Sequence, residues 1–125
     1  MQNQPHILFA DDDPDTRELV RVVLMRAGFC VSVTADPFKA LQLLRGIVFD
    51  AVLLDICMPE MTGIELCRQI RFFDQRIPIF FCSGAATEAD KTAALSAGAQ
   101  GYFTKPLEPD DLVCTLRAAL QIAKP

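Results

Sequence analysis

A chain of 125 residues fits one domain with a single sizeable core, and its 51% hydrophobic content, uninterrupted by low-complexity sequence, makes a folded globule the expectation. The formal charge of −4 lacks the basic footprint of a nucleic-acid-binding domain, so direct contact of this chain with nucleic acid is not expected. No apolar stretch approaches the roughly 20 residues that span a bilayer, no membrane partner is expected, and Met1 to Pro5 has neither the basic nor the apolar region of a signal peptide.

The first apolar run, Ile7 to Ala10, ends in Asp11-Asp12. Asp13-Pro14 then offers an N-cap and a proline at the first helical position. Leu19, Val23 and Ala27 fall on one helical face, and Gly28 stops the helix. A second strand, Cys30 to Thr34, leads to Asp36-Pro37, which repeats the start signal. Ala40, Leu41 and Leu44 form the next buried stripe, ended by Gly46. The third run, Ala51 to Leu54, ends in Asp55, and Thr62-Gly63-Ile64-Glu65 then reads as a capping box with Leu66 and Ile70 facing inward. Pro78 opens a fourth run, Ile79 to Cys82, ending in Ser83. Thr87 caps a helix running toward Gly98. The last run, Tyr102 to Thr104, ends in Lys105, and Pro109 opens a helix with Leu112, Leu116 and Leu120 four residues apart.

Strands and helices alternating at this length imply an α/β fold of the doubly wound (βα)5 kind, a five-stranded parallel sheet with helices on both faces. The third and fourth strands are almost wholly apolar, as strands covered on both sides are. In such a sheet, ligands bind beyond the carboxyl ends of the strands. Four reactive tips then share one edge: Asp11-Asp12, Asp55, Ser83 and Lys105. Three carboxylates and one ammonium sum to −2, a charge that a divalent cation cancels. Mg2+, or Mn2+ in its place, suits carboxylate oxygens and is commonly completed by a phosphate. Asp55 is then the candidate nucleophile, able to accept a phosphoryl group as an acyl phosphate. Lys105 would pair with the phosphoryl oxygens, Ser83 would donate a hydroxyl hydrogen bond, and the backbone N–H groups of Ile56, Cys57 and Gly84 would add donors.

Four segments carry a resemblance: Ile7-Leu8-Phe9-Ala10-Asp11-Asp12-Asp13-Pro14; Leu53-Leu54-Asp55-Ile56-Cys57-Met58-Pro59 with Gly63; Pro78-Ile79-Phe80-Phe81-Cys82-Ser83-Gly84; and Ala97-Gly98-Ala99 followed by Tyr102-Phe103-Thr104-Lys105-Pro106. In this order the chain resembles a response-regulator receiver domain, the phosphoacceptor module of two-component signalling, over essentially its whole length. The resemblance implies a flavodoxin-like strand order, 2-1-3-4-5, and a single receiver domain over residues 1–125 with no output domain in this chain. It implies that Asp55 takes phosphate from a phosphohistidine on a sensor histidine kinase or a histidine phosphotransfer protein. Asp12, Asp55 and the backbone carbonyl of Cys57 would ligate Mg2+, with Asp11 acting mainly through water. Ser83 and Tyr102 match the family's switch pair, remodelling the surface of the fourth helix, fifth strand and fifth helix to control a downstream protein target. Phosphorylation-linked homodimerisation fits the same picture, and the Lys105–Pro106 bond is expected to be cis. The domain would catalyse its own phosphorylation and dephosphorylation without turning over a free substrate, so an enzyme label is not expected.

Two positions depart from the family's pattern. Cys57 stands two past the phosphoacceptor and Ala85 two past Ser83, where the family governs access of water to the acyl phosphate. Neither side chain orients water strongly, so these residues are not expected to speed autodephosphorylation.

Other residues have plainer readings. Asp13 caps a helix, and Glu108, Asp110 and Asp111 favour the start of the last one. The single histidine, His6, lies at the edge opposite the site, as a surface residue. Cys30, Cys57, Cys67, Cys82 and Cys114 have no C-x-x-C spacing and read mostly as buried reduced thiols of a cytoplasmic protein; Cys57 is the exception, two residues past Asp55 and so near the site, where a redox role is the alternative. Three rival functions read the same residues differently. A haloacid-dehalogenase-type phosphatase would use Asp11-Asp12-Asp13 but leaves Asp55 idle. An EF-hand starting at Asp11, Asp13 and Asp15 fails at Thr16 and Val22, where glycine and glutamate are required. The third is a degenerate receiver serving as a phosphorylation-independent scaffold.

Overall fold

Every helix begins where a polar side chain bonds back to the first turn, from Asp13, Asp36, Thr62, Thr87 and Glu108 in turn. The computed structural model describes residues 4–84 and 87–121. Within them, β1 (His6–Ala10), α1 (Pro14–Arg26), β2 (Cys30–Thr34), α2 (Pro37–Gly46), β3 (Ala51–Asp55), α3 (Gly63–Phe73), β4 (Ile79–Ser83), α4 (Glu88–Ser96), β5 (Gly101–Thr104) and α5 (Pro109–Ala119) follow one another. Asp13 caps α1 by accepting from the Thr16 N–H at 3.1 Å, and Asp36 caps α2 by accepting from the Phe38 N–H at 2.9 Å. Thr62 accepts from the Glu65 N–H at 3.2 Å, but the full reciprocal box forms at α4, between Thr87 and Asp90. Gly28 follows the end of α1 with φ +96°, a left-handed conformation that suits glycine there.

The strands form one parallel sheet in the order β2-β1-β3-β4-β5, the doubly wound arrangement that the sequence implies. Because successive strand residues point to opposite faces, the core divides in two. Ile7, Phe9 and Leu53 pack with Val20 and Leu24 of α1 and Leu112 and Leu116 of α5. Leu8, Val52 and Phe81 pack with Ala40 of α2, Leu66 and Ile70 of α3 and Ala94 of α4. Every residue of β3 and β4 is buried, and all but the terminal Asp55 and Ser83 are apolar, as expected of strands covered on both faces.

Two expectations need correction. Leu19 is 48% exposed, whereas Val20 is 1% and Leu24 0% exposed. The buried stripe of α1 runs through 20, 23, 24 and 27, and Leu19 lies about 100° round the helix from its centre line. Cys30, Cys57 and Cys114 are exposed, and only Cys67 and Cys82 are buried. Cys30 opens an edge strand, Cys57 lies in the loop after β3, and Cys114 faces away from the sheet between the inward Leu112 and Leu116.

Candidate functional site

Strand register assembles the site. Ala10 lies opposite Leu54, so Asp11, one residue on, stands beside Asp55. Asp55 lies opposite Cys82, and Ser83 lies opposite Thr104, which brings Ser83 and Lys105 to the same edge. Oxygens of Asp11, Asp12 and Asp55 all lie within 4.8 Å of one another. Asp11 is fully buried, Asp55 nearly so, and Asp12 is exposed.

Asp11 is the most constrained of the three acids. Its backbone N–H donates to the Thr34 carbonyl at 3.0 Å, its Oδ1 accepts from the Asp13 N–H at 2.9 Å, and its Oδ2 accepts from Lys105 Nζ at 2.7 Å. The same ammonium is 3.7 Å from Asp55 Oδ2. Asp55 has weaker local support: the Cys57 N–H reaches its Oδ1 at 3.4 Å. Burial, then the Asp11 charge, pushes the Asp55 carboxyl up to about 6, against the pull of Lys105. For Lys105, burial alone would push the ammonium down; the hydrogen bond and charge of Asp11 outweigh it, and the net direction is up. Asp55 therefore carries a negative charge that Lys105 compensates only in part.

The remaining expected residues surround this cluster. Ser83 is buried at the end of β4, and its carbonyl accepts from the Lys105 N–H at 2.9 Å. Tyr102 is half-buried on β5; burial pushes its phenol up, while a hydrogen bond with Ser83 acts the other way. Ile56 is half-buried, Cys57 and Gly84 are exposed, and the exposed Pro106 follows a cis Lys105–Pro106 bond. Ala85 lies outside the described residues. His6 sits at the far edge, where its Nε2 is 2.7 Å from Ser32 Oγ and its ring is 4.2 Å from that of Phe49.

Two contributors carry little signal in the sequence. Arg17, on the second turn of α1, donates from Nη1 to the Asp11 carbonyl at 2.8 Å. It brings a second cation to the strand tips, but no motif marks it, because its target is a backbone atom. Gly63 belongs to the recognisable segments, yet the reason for glycine is visible only in three dimensions. A Cβ there would stand 2.0 Å from the Asp55 carbonyl oxygen, and the Gly63 N–H donates to the Ile56 carbonyl at 2.8 Å. The glycine lets α3 start directly against the Asp55 strand tip.

Residues 7–117 match the family model of the response regulator receiver domain. The chain belongs to that family. This receiver is 37% identical over 121 residues to the transcriptional regulatory protein CseB of Streptomyces coelicolor, an alignment covering 97% of this chain and 51% of CseB. It is 38% identical over 115 residues to the DNA-binding response regulator MtrA of Mycolicibacterium smegmatis, covering 92% of this chain and 50% of MtrA. The chain thus spans about half the length of the curated relatives it matches. Among solved structures, the CheY-like receiver domain protein of Methanospirillum hungatei aligns with a TM-score of 0.91 and 27% identity, covering 95% of each chain. The chemotaxis response regulator CheY4 of Vibrio cholerae aligns at 0.87 with 30% identity, covering 94% of this receiver and 99% of CheY4.

These relatives correct the expected partners. Nucleic acid was excluded on net charge, yet MtrA is named as DNA-binding and CseB as a transcriptional regulatory protein. The charge of a receiver stretch carries no information about the other half of such proteins, so the exclusion does not extend to them. Receivers of response regulators are signalling modules and generally not turnover enzymes. Receivers bind Mg2+ at an acidic pocket, and the cluster of Asp11, Asp12 and Asp55 fits that ion, since all its donors are hard carboxylate oxygens. Among the described residues, no helix is long and apolar enough to cross a membrane.

Proposed function

We propose that Asp55 is the phosphoacceptor of this receiver, acting within a single receiver unit of a cytoplasmic two-component or phosphorelay system. The observation that carries the reading is the position of Asp55: a nearly buried strand-tip carboxylate beside two other acids, 3.7 Å from the Lys105 ammonium. A carboxyl pushed up to about 6 is ionised at neutral pH and remains basic for a carboxylate, as a nucleophile should be. An Asp55 oxygen attacks the phosphorus of a phosphohistidine. The P–N bond breaks, its electron pair returns to the imidazole, and an acyl phosphate forms.

Asp12, Asp55 and the Cys57 carbonyl would hold Mg2+, or Mn2+, with Asp11 contributing through water. When bound, the ion shields the negative charges that meet as the phosphoryl group approaches. Lys105 then shares its ammonium between Asp11 and a phosphoryl oxygen, Ser83 donates its hydroxyl, and the N–H groups of Ile56, Cys57 and Gly84 complete the cradle. Ser83 moving toward the phosphoryl group would draw Tyr102 inward and alter the α4–β5–α5 surface. The slight burial of α4, with Leu95 56% exposed, supports that element as the one that shifts. By likeness to CseB and MtrA, the output of that shift is transcriptional control.

Intact mass after incubation with acetyl phosphate tests the reading. A Mg2+-dependent gain of about 80 Da, absent in Asp55→Asn and labile to base, is the expected result. No gain with either acetyl phosphate or a phosphohistidine donor would instead make the chain a phosphorylation-independent scaffold.

A further inference from the structure

The end of the sheet opposite the site carries an unusual surface. Eight large hydrophobic side chains are exposed among the described residues, and four of them gather here: Ile47 and Val48 after α2, and Phe72 and Phe73 at the end of α3. Val48 is 86% and Phe72 80% exposed, an arrangement that marks interaction sites more often than it marks plain solvent. The two segments are neighbours. Arg45 lies 5.1 Å from the centre of the Phe73 ring, and a cavity of about 260 Å³ opens between Leu44, Ile47, Val48, Phe49, Asp74 and Ile77. That volume is below the range typical of metabolite pockets and suits one or two apolar side chains of a partner.

Charge indicates what the partner is like. The first turns of the helices, at the site end, carry acids: Asp15, Glu65, Glu88 and Asp90, and Asp110 and Asp111. Three exposed arginines belong to the same segments: Arg45 on α2, Arg68 one turn before Phe72, and Arg76 beyond α3. Among the described residues, no carboxylate pairs with them. Two acids at this end accept from backbone N–H groups, Asp74 Oδ1 from those of Arg76 and Ile77, and Asp50 from that of His6. In a chain of net charge −4, this end therefore presents an apolar surface at which three exposed arginines outnumber Asp50 and Asp74.

We propose that this end, formed by the α2–β3 turn and the C-terminal end of α3, is a docking surface for an acidic segment of a partner protein. One aliphatic or aromatic anchor of that segment fills the cavity beside Val48, and its carboxylates face Arg45, Arg68 and Arg76. Exposed arginine and aromatic side chains around a small pocket are the usual composition of such contacts. The surface lies across the sheet from Asp55, so the proposal stands independently of the phosphoacceptor reading.

The test is a displayed library of random 16-residue peptides panned against the full chain at low salt. The expected winners carry net negative charge and an apolar anchor. Their affinity falls at least tenfold in Val48→Ser/Phe72→Ser, at least tenfold in Arg45→Gln/Arg76→Gln, and also as salt is raised. All four positions are exposed, and a retained Mg2+ response at the other end reports that each variant is folded. Winners that are neutral or basic, or that bind wild type and both variants equally, overturn the proposal. So does flotation of the wild type, but not of Val48→Ser/Phe72→Ser, with phosphatidylserine vesicles when no peptide is enriched, because the surface would then be lipid-facing.

Discussion

The two ends of one sheet treat charge in opposite ways. At the amino end, the small acids are individually satisfied by backbone N–H groups, as Asp74 and Asp50 are, and the arginines stay in solvent. At the carboxyl end, oxygens of three acids lie within 4.8 Å of one another, and burial, then the Asp11 charge, pushes the Asp55 carboxyl up to about 6 against the pull of Lys105. Like charges at the tips of buried strands cost stability, and the proposed phosphoacceptor role of Asp55 gives a reason for such a cluster to persist there. The contrast is between polar groups placed to hold the fold and polar groups that the fold must hold.

The sharpest way to break the comparison is Gly63→Ala. Its Cβ would meet the Asp55 carbonyl at 2.0 Å, so α3 must withdraw from the strand tip. The expected loss is about 3 kcal/mol, measured by urea unfolding, together with loss of phosphorylation. A loss below about 0.5 kcal/mol would mean the two elements are not held this tightly. Lys105→Met comes next, because it leaves the buried Asp11 without its cation. About 2 to 3 kcal/mol should be lost at neutral pH, less than for a fully buried pair because Lys105 is partly exposed. Asp11→Asn in the same chain should restore most of it; no restoration would separate the effect from the pair.

Asp55→Asn should act in the other direction. A folded carboxyl at about 6, above the ordinary 3.8, carries a penalty that is absent well below pH 4, grows between the two values and is complete above 6. In chelator, the variant should gain about 1 to 2 kcal/mol at pH 8, discounted for solvent screening, and nothing at pH 3.5. Mg2+ should stabilise the wild type more than the variant, and equal stabilisation would count against Asp55 as a ligand. Arg17→Ala should have the smallest effect, about 1 kcal/mol from one bond to the Asp11 carbonyl. It should also weaken Mg2+ binding a few fold by calorimetry, and unchanged binding would reduce Arg17 to a helix anchor.

Much of this was legible in the chain itself. Apolar runs ending in Asp11-Asp12, Asp55, Ser83 and Lys105 marked the strands and the residues at their tips, because a parallel α/β sheet puts all carboxyl ends on one edge. Caps such as Asp13 and Asp36 are local, so they read correctly too. The stripe on α1 misplaced Leu19, since an amphipathic pattern tolerates a shift of one residue while the sheet accepts only one face. The exposed cysteines were misjudged for the same reason: Cys114 sits among leucines in sequence yet faces away from them in space.

The sequence by itself determined the order of elements, the parallel sheet and the identity of the groups at its active edge, because periodicity and capping act within a few residues. Only the tertiary structure decided how those groups interact: that Lys105 bonds to Asp11 while standing 3.7 Å from Asp55, that Arg17 reaches a backbone carbonyl, and that Gly63 admits α3 against the strand tip. It also brought Arg45 of α2 over the Phe73 ring of α3 from a separate segment. Distances between residues far apart in the chain follow from packing, to which local preference is blind.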